Sequence, residues 1–170
     1  MTLQPYPYTK DRRENDRPNN DRPNNDRPNN DRRENDRSRR RTILLVEDEP
    51  FVREATCSIL ESAGFAVLPA EDALDAMKVY EECKPGVDLV ITDMVLPGRT
   101  GQQLEQDLRK HSPEVAVLVT SGYVNPECDA ETPGSHTYFL AKPYSRRALV
   151  EKVEKIFGAI SLARLTTQAG

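Results

Sequence analysis

Five polar positions in this 170-residue chain stand directly behind apolar runs, and their side chains together could hold a divalent cation and a phosphoryl group. Glu47 and Asp48 follow Ile43–Val46, and Asp93 follows Leu89–Thr92. Ser121 follows Val115–Val119 across Thr120, and Lys142 follows Tyr138–Ala141. Short apolar runs of this length read as buried strands. In an open parallel sheet the carboxyl ends of the strands converge on one crevice, where ligands bind. Carboxylates and a hydroxyl are the hard oxygen ligands that Mg²⁺ prefers, and a lysine adds a point charge for phosphate oxygens. A carboxylate attacking phosphorus approaches a group that is itself anionic, so a cation and an ammonium beside it lower the barrier. Taken singly, each residue has a plainer reading. Asp48, just before Pro50, could be a helix N-cap, Ser121 a turn residue and Lys142 a surface charge. What separates the two readings is whether all five share one rim.

The elements that must position them alternate. Thr42–Val46 reads as a strand, and Pro50 suits the first turn of a helix. Phe51, Val52, Ala55, Ile59, Leu60 and Ala63 then follow helical spacing to a cap at Gly64. A strand over Phe65–Leu68 precedes a helix carrying Ala73, Leu74, Met77 and Tyr80, closed by Pro85-Gly86. Val87–Thr92 is the third strand. Gly98 and Gly101 bracket a loop, and Leu104, Leu108 and His111 share one face of a third helix. Val115–Thr120 is the fourth strand. Residues 124–137, with Pro126, Pro133 and Gly134, leave space for at most two turns of a fourth helix. Tyr138–Ala141 is the fifth strand, and Ala148, Leu149, Val153, Ile156 and Phe157 build the last amphipathic helix. The order (βα)₅ implies a doubly wound α/β fold, a parallel sheet with helices on both faces.

Composition divides the chain near Arg41. Residues 1–41 carry a net charge of +4 and residues 42–170 a net of −8. Residues 11–40 form a five-residue repeat, DRREN, DRPNN three times, DRREN and DRSRR, without Leu, Ile, Val, Phe or Met. Such a segment has no apolar surface to offset the entropy of ordering, which predicts a disordered low-complexity tail over 1–41, a solvated spacer or a binding tail. The domain proper is expected over 42–160, with a C-terminal tail over 161–170 that extends the last helix for a turn or two. A negative domain is a poor surface for nucleic acid. Cys57, Cys83 and Cys128 fit no metal spacing, and an odd count argues against a disulfide framework. No apolar run approaches the ~18 residues of a membrane span, and no signal peptide is visible, so a cytoplasmic protein without membrane contact is expected. His111 and His136 read as surface residues, and Arg99 as a recognition residue or a loop charge.

With these motifs in place, residues 42–158 resemble the receiver domain of two-component response regulators, the CheY-like superfamily. The resemblance is carried by ILLVEDE at 43–49, LVITDMVLPGRTG at 89–101, VLVTSGY at 117–123 and FLAKPY at 139–144. It implies a flavodoxin-like sheet of order 2-1-3-4-5. It implies that Asp93 is the phosphoacceptor and that Mg²⁺ is held by Glu47, Asp48, Asp93 and the backbone carbonyl of Val95. Ser121 matches the switch hydroxyl, and Lys142 the lysine that contacts the phosphoryl oxygens. Phe139 matches the aromatic rotamer switch, with Phe here in place of Tyr. The Lys142–Pro143 bond matches a cis peptide that turns the ammonium inward. Val95 and Tyr123, two residues beyond Asp93 and Ser121, match positions that flank the path of hydrolytic water. An apolar Val95 and a bulky Tyr123 imply slow loss of the phosphoryl group.

The expected function is that of a single-domain response regulator. It takes a phosphoryl group from a sensor or hybrid histidine kinase or a phosphotransfer protein. It signals to a downstream protein through the face made by the fourth helix, fifth strand and fifth helix. It is a phosphoacceptor with self-catalysed transfer rather than an enzyme. TSGY at 120–123 and FLAKPY resemble receivers paired with hybrid kinases, so a detached receiver of such a kinase is an alternative. A receiver fold that only docks partners is another. A haloacid-dehalogenase-type phosphatase would want a second Asp at position 95, where this chain has Val.

Overall fold

The computed structural model describes residues 40–84, 86–122 and 136–167. Residues 1–39 of the repeat segment, the expected fourth helix, Tyr123 and Cys128 lie outside them. The elements are β1 (Thr42–Val46), α1 (Pro50–Ser62), β2 (Ala66–Ala70), α2 (Ala73–Cys83), β3 (Leu89–Asp93), α3 (Gly101–His111), β4 (Ala116–Ser121), β5 (Thr137–Ala141) and α4 (Arg146–Thr167). The last of these is the fifth helix of the sequence reading. All strand pairs are parallel, in the order β2-β1-β3-β4-β5, which is the flavodoxin-like order.

Strand alternation divides the core between the two faces of the sheet. Ile43 and Leu45 join a cluster with Leu60 of α1 and with Leu149, Val153 and Ile156 of α4. Leu44 and Val46 join the opposite cluster with Ala76 and Tyr80 of α2 and with Leu104 and Leu108 of α3. Helices on both faces leave β1, β3 and β4 buried almost throughout, as their continuous apolar runs require. Arg109 of α3 fastens the opposite end of the sheet, donating to the carbonyls of Pro113 and Val115 at 2.7 and 2.6 Å and to Thr137 Oγ1 at 2.9 Å.

Helix starts are specified locally. Asp72 accepts from the backbone of Leu74 and Asp75 at the start of α2. Thr100 and Gln103 form a reciprocal capping box at α3. At α1, Pro50 opens the helix, and Glu49, the N-cap, makes no side-chain cap bond. The Glu49 carboxylate is thus not consumed as a cap.

Some apolar positions of the helices differ from the sequence reading, Leu74 of α2 being exposed. Phe51, read on the apolar face of α1, is 80% exposed, and Val52 is exposed as well. The first turn of α1 lines an open groove instead, and burial in this helix begins at Thr56. Helix α4 runs on to Thr167, so the C-terminal segment continues the last helix by about two turns.

Candidate functional site

Strand register assembles the site. Val46 pairs with Thr92, Asp93 with Thr120 and Ser121 with Ala141, so the chain leaves β1, β3, β4 and β5 along one edge. There, ligand oxygens of Glu47, Asp48 and Asp93 all lie within 4.8 Å of one another. Lys142 reaches in from the end of β5. Its Nζ stands 2.7 Å from Asp93 Oδ2 and 3.3 Å from Glu47 Oε2. Its backbone N–H donates to the Ser121 carbonyl at 2.7 Å, which ties the lysine loop to the end of β4. The Lys142–Pro143 peptide is cis. Among the described residues no hydrogen bond or ion pair is made by the Asp48 carboxylate, whereas Glu47 is only 6% exposed. Three carboxylates against one ammonium leave a surplus of two negative charges on hard oxygen donors, which fits a divalent cation.

Residues 43–154 match the family model of the response regulator receiver domain. The chain belongs to that family. The receiver is 34% identical to the sensor kinase CckA of Brucella abortus over 116 residues, which is 68% of this chain and 12% of that protein. It is also 34% identical to the phosphate regulon transcriptional regulatory protein PhoB of Escherichia coli over 125 residues, 71% of this chain and 53% of PhoB. The chain therefore spans about half the length of PhoB and a small part of CckA. Among solved structures, the response regulator protein TrrA of Thermotoga maritima, in complex with Mg²⁺–BeF, is 28% identical with a TM-score of 0.58. That match covers 68% of this chain and 98% of TrrA.

Ser121 is buried at the end of β4. Phe139 lies in β5 opposite Val119 and packs, half-buried, against the core on the α2–α3 face. Val95 is 67% exposed, and its N–H donates to Asp93 Oδ1 at 3.4 Å. Arg99 is held by Asp107 at 2.5 Å, so its charge is internally paired. His136 lies 3.0 Å from Glu114, and His111 Nδ1 lies 2.9 Å from the Asp107 carbonyl; neither is among the residues gathered at the site.

Sequence reasoning passed over three residues that shape the centre. Gly101, treated as a loop marker, lies against the backbone of Asp93: a Cβ built there would come within 2.3 Å of the Asp93 carbonyl oxygen. Tyr144 lines the same groove as the buried Thr56 of α1, and burial pushes its phenol pKa up. Arg53, at the end of the first turn of α1, reaches back to the β1–α1 junction. The DEP and KPY stretches were visible, but their partners are tertiary. Beside the centre, Phe51, Val52, Ala55, Thr56, Lys142, Pro143 and Tyr144 line a groove of about 620 Å³.

Burial works to lower the pKa of Lys142, but the hydrogen bond from its ammonium to Asp93 and the charges of Glu47 and Asp93 outweigh it. The net effect holds the group above the ordinary lysine value. A folded-state pKa above the unfolded one gives stability that is complete below the unfolded value, about 10.4, and is lost as pH rises through the folded one. The stability difference between wild type and Lys142→Met is therefore expected to stay constant from about pH 7 to pH 9 and to shrink above about pH 10.4. Urea midpoints across that range measure it. A difference that already closes near neutrality contradicts the charge balance described for Lys142.

Proposed function

We propose that residues 42–160 form a phosphoryl-accepting receiver in which Asp93 becomes an acyl phosphate during two-component signal transduction. The observation that carries this reading is the placement of Lys142 Nζ 2.7 Å from Asp93 Oδ2, with three carboxylates clustered on the same edge. Glu47, Asp48, Asp93 and the Val95 carbonyl would hold Mg²⁺, which when bound neutralises charge on the incoming phosphoryl oxygens. An Asp93 carboxylate oxygen forms the new P–O bond as the P–N bond to the donor histidine breaks, and the imidazole takes up a proton from solvent. The Lys142 ammonium stays beside Asp93 and balances charge on the transferring group. Ser121 then donates a hydrogen bond to a phosphoryl oxygen, and the Phe139 ring moves into the space it leaves. That repacks the face formed by β5 and α4 for a downstream protein.

The phosphodonor is a sensor or hybrid histidine kinase or a phosphotransfer protein, and the cytoplasm is the compartment. Among the described residues no helix is long and apolar enough to cross a membrane, which accords with that placement. The groove with exposed Phe51 at its mouth supports docking of an apolar donor surface beside Asp93. Similarity to CckA, a sensor kinase, favours a second reading in which the receiver works as a detached part of a hybrid kinase.

Labelling with acetyl phosphate and Mg²⁺ tests the reading. Label retained on wild type and absent from Asp93→Asn is expected. Continuous release of phosphate would indicate a phosphatase, and no label with Mg²⁺ present would indicate a docking module. The exposed, apolar Val95 offers no group to orient water, and Tyr123 is bulky, so the label should persist for minutes or longer without a phosphatase. A half-life of seconds runs against that.

A further inference from the structure

We infer that Arg53 is a positioning residue for the cation site, acting through the backbone of Glu47 and Asp48; this rests on the reading that their carboxylates hold Mg²⁺. Arg53 is half-buried on α1. Its Nη1 donates to the Glu47 carbonyl at 2.5 Å and to the Asp48 carbonyl at 3.2 Å. Three carboxylates stand on the same edge, yet among the described residues Arg53 forms no ion pair with any of them. The guanidinium is spent on main-chain oxygens.

At the Glu47 side chain, Lys142 and the Glu49 N–H hold the carboxylate at 3.3 and 3.4 Å, and fewer contacts hold the main chain. Glu47 N–H donates to the Ala70 carbonyl at 3.2 Å, so β2 holds the nitrogen side of this residue and Arg53 the carbonyl side. Glu49, the N-cap of α1, supplies no side-chain bond of its own. Asp48 is exposed, and its backbone carbonyl accepts from Arg53. Holding two successive carbonyls from one nitrogen fixes the peptide planes on either side of the Asp48 Cα, and with them the direction in which the Asp48 side chain leaves the chain.

Charge and position predict opposite outcomes. A cation near a cation site repels the incoming ion, so removing it tightens binding if charge is all that matters. Removing a group that orients metal ligands weakens binding, typically by about 10-fold or more.

The test is Mg²⁺ titration of the full-length unphosphorylated chain, read by calorimetry or by amide chemical shifts, for wild type, Arg53→Ala and Arg53→Lys. Arg53→Ala is expected to weaken binding about 10-fold. Arg53→Lys keeps the charge and a donor nitrogen but loses the rigid planar group that places it, so it should weaken binding less. Melting curves without metal identify which variants fold, and either folded variant suffices. Mg²⁺ affinity equal to or above wild type in a folded variant overturns the inference. Wild type that binds no Mg²⁺ overturns the cation-site reading itself, and the inference with it.

Discussion

Lys142→Met is expected to slow Mg²⁺-dependent phosphoryl transfer to Asp93 by about 10²–10³-fold. The ammonium lies 2.7 Å from the Asp93 carboxylate, on an edge where Glu47 is nearly inaccessible. A fixed charge in such a place acts more strongly than one in water, because little solvent lies between it and the reacting oxygens. Methionine approximates the length of the side chain and removes only the charge and the donors. The variant also leaves the Glu47 and Asp93 carboxylates without their ammonium, so some loss of stability accompanies the loss of rate. Comparing single-turnover labelling at saturating Mg²⁺, at a temperature where circular dichroism shows both proteins folded, separates the two. A rate near that of wild type would mean that Lys142 takes no part in transfer.

The second large effect is expected at a residue with no functional group. Gly101→Ala places a Cβ 2.3 Å from the Asp93 carbonyl oxygen and 3.2 Å from Thr92 Cγ2. The nearer contact is backbone and cannot rotate away. Gly101 N–H also donates to the Met94 carbonyl at 2.9 Å, which holds the start of α3 against the end of β3. Either α3 or the Asp93 loop must shift. Overpacking of this kind costs about 1–3 kcal/mol, and a displacement of about 1 Å at a reacting group costs about 10²-fold in rate. Gly158→Ala is the control: in α4, nothing lies within 4 Å of its added Cβ, and alanine in a helix is favoured by up to about 1 kcal/mol. The urea midpoints of the two variants should move in opposite directions, and only Gly101→Ala should slow labelling. A Gly101→Ala protein as stable and as readily labelled as wild type contradicts this packing.

Much of the architecture was legible from residue order because burial on both faces of a parallel sheet demands uninterrupted apolar runs. Those of β1, β3 and β4 are unmistakable. The same logic exposed the candidate centre: polar residues at the ends of such runs fall on one rim once the order (βα)₅ fixes the sheet. Helical spacing misled at Phe51 and Val52, since periodicity shows which face is apolar but not where along a helix the core begins. Thr56 shows the converse, a polar residue buried on α1 where helical spacing of apolar residues alone would not place it. The close approach of Gly101 to Asp93 and the reach of Arg53 to two carbonyls also depend on how elements stack, which local pattern does not encode. The start of α3 was legible in principle, because Thr100 and Gln103 have the spacing of a capping box.

Reductive trapping reaches the central claim most directly. An aspartyl phosphate is an acyl phosphate, and borohydride reduces it to the alcohol, leaving homoserine in the peptide chain. Wild type treated with acetyl phosphate and Mg²⁺, then reduced and mapped by mass spectrometry, should carry homoserine at position 93 only, with none when Mg²⁺ is replaced by a chelator. Homoserine at another acidic position, or none anywhere after verified labelling, would contradict the account.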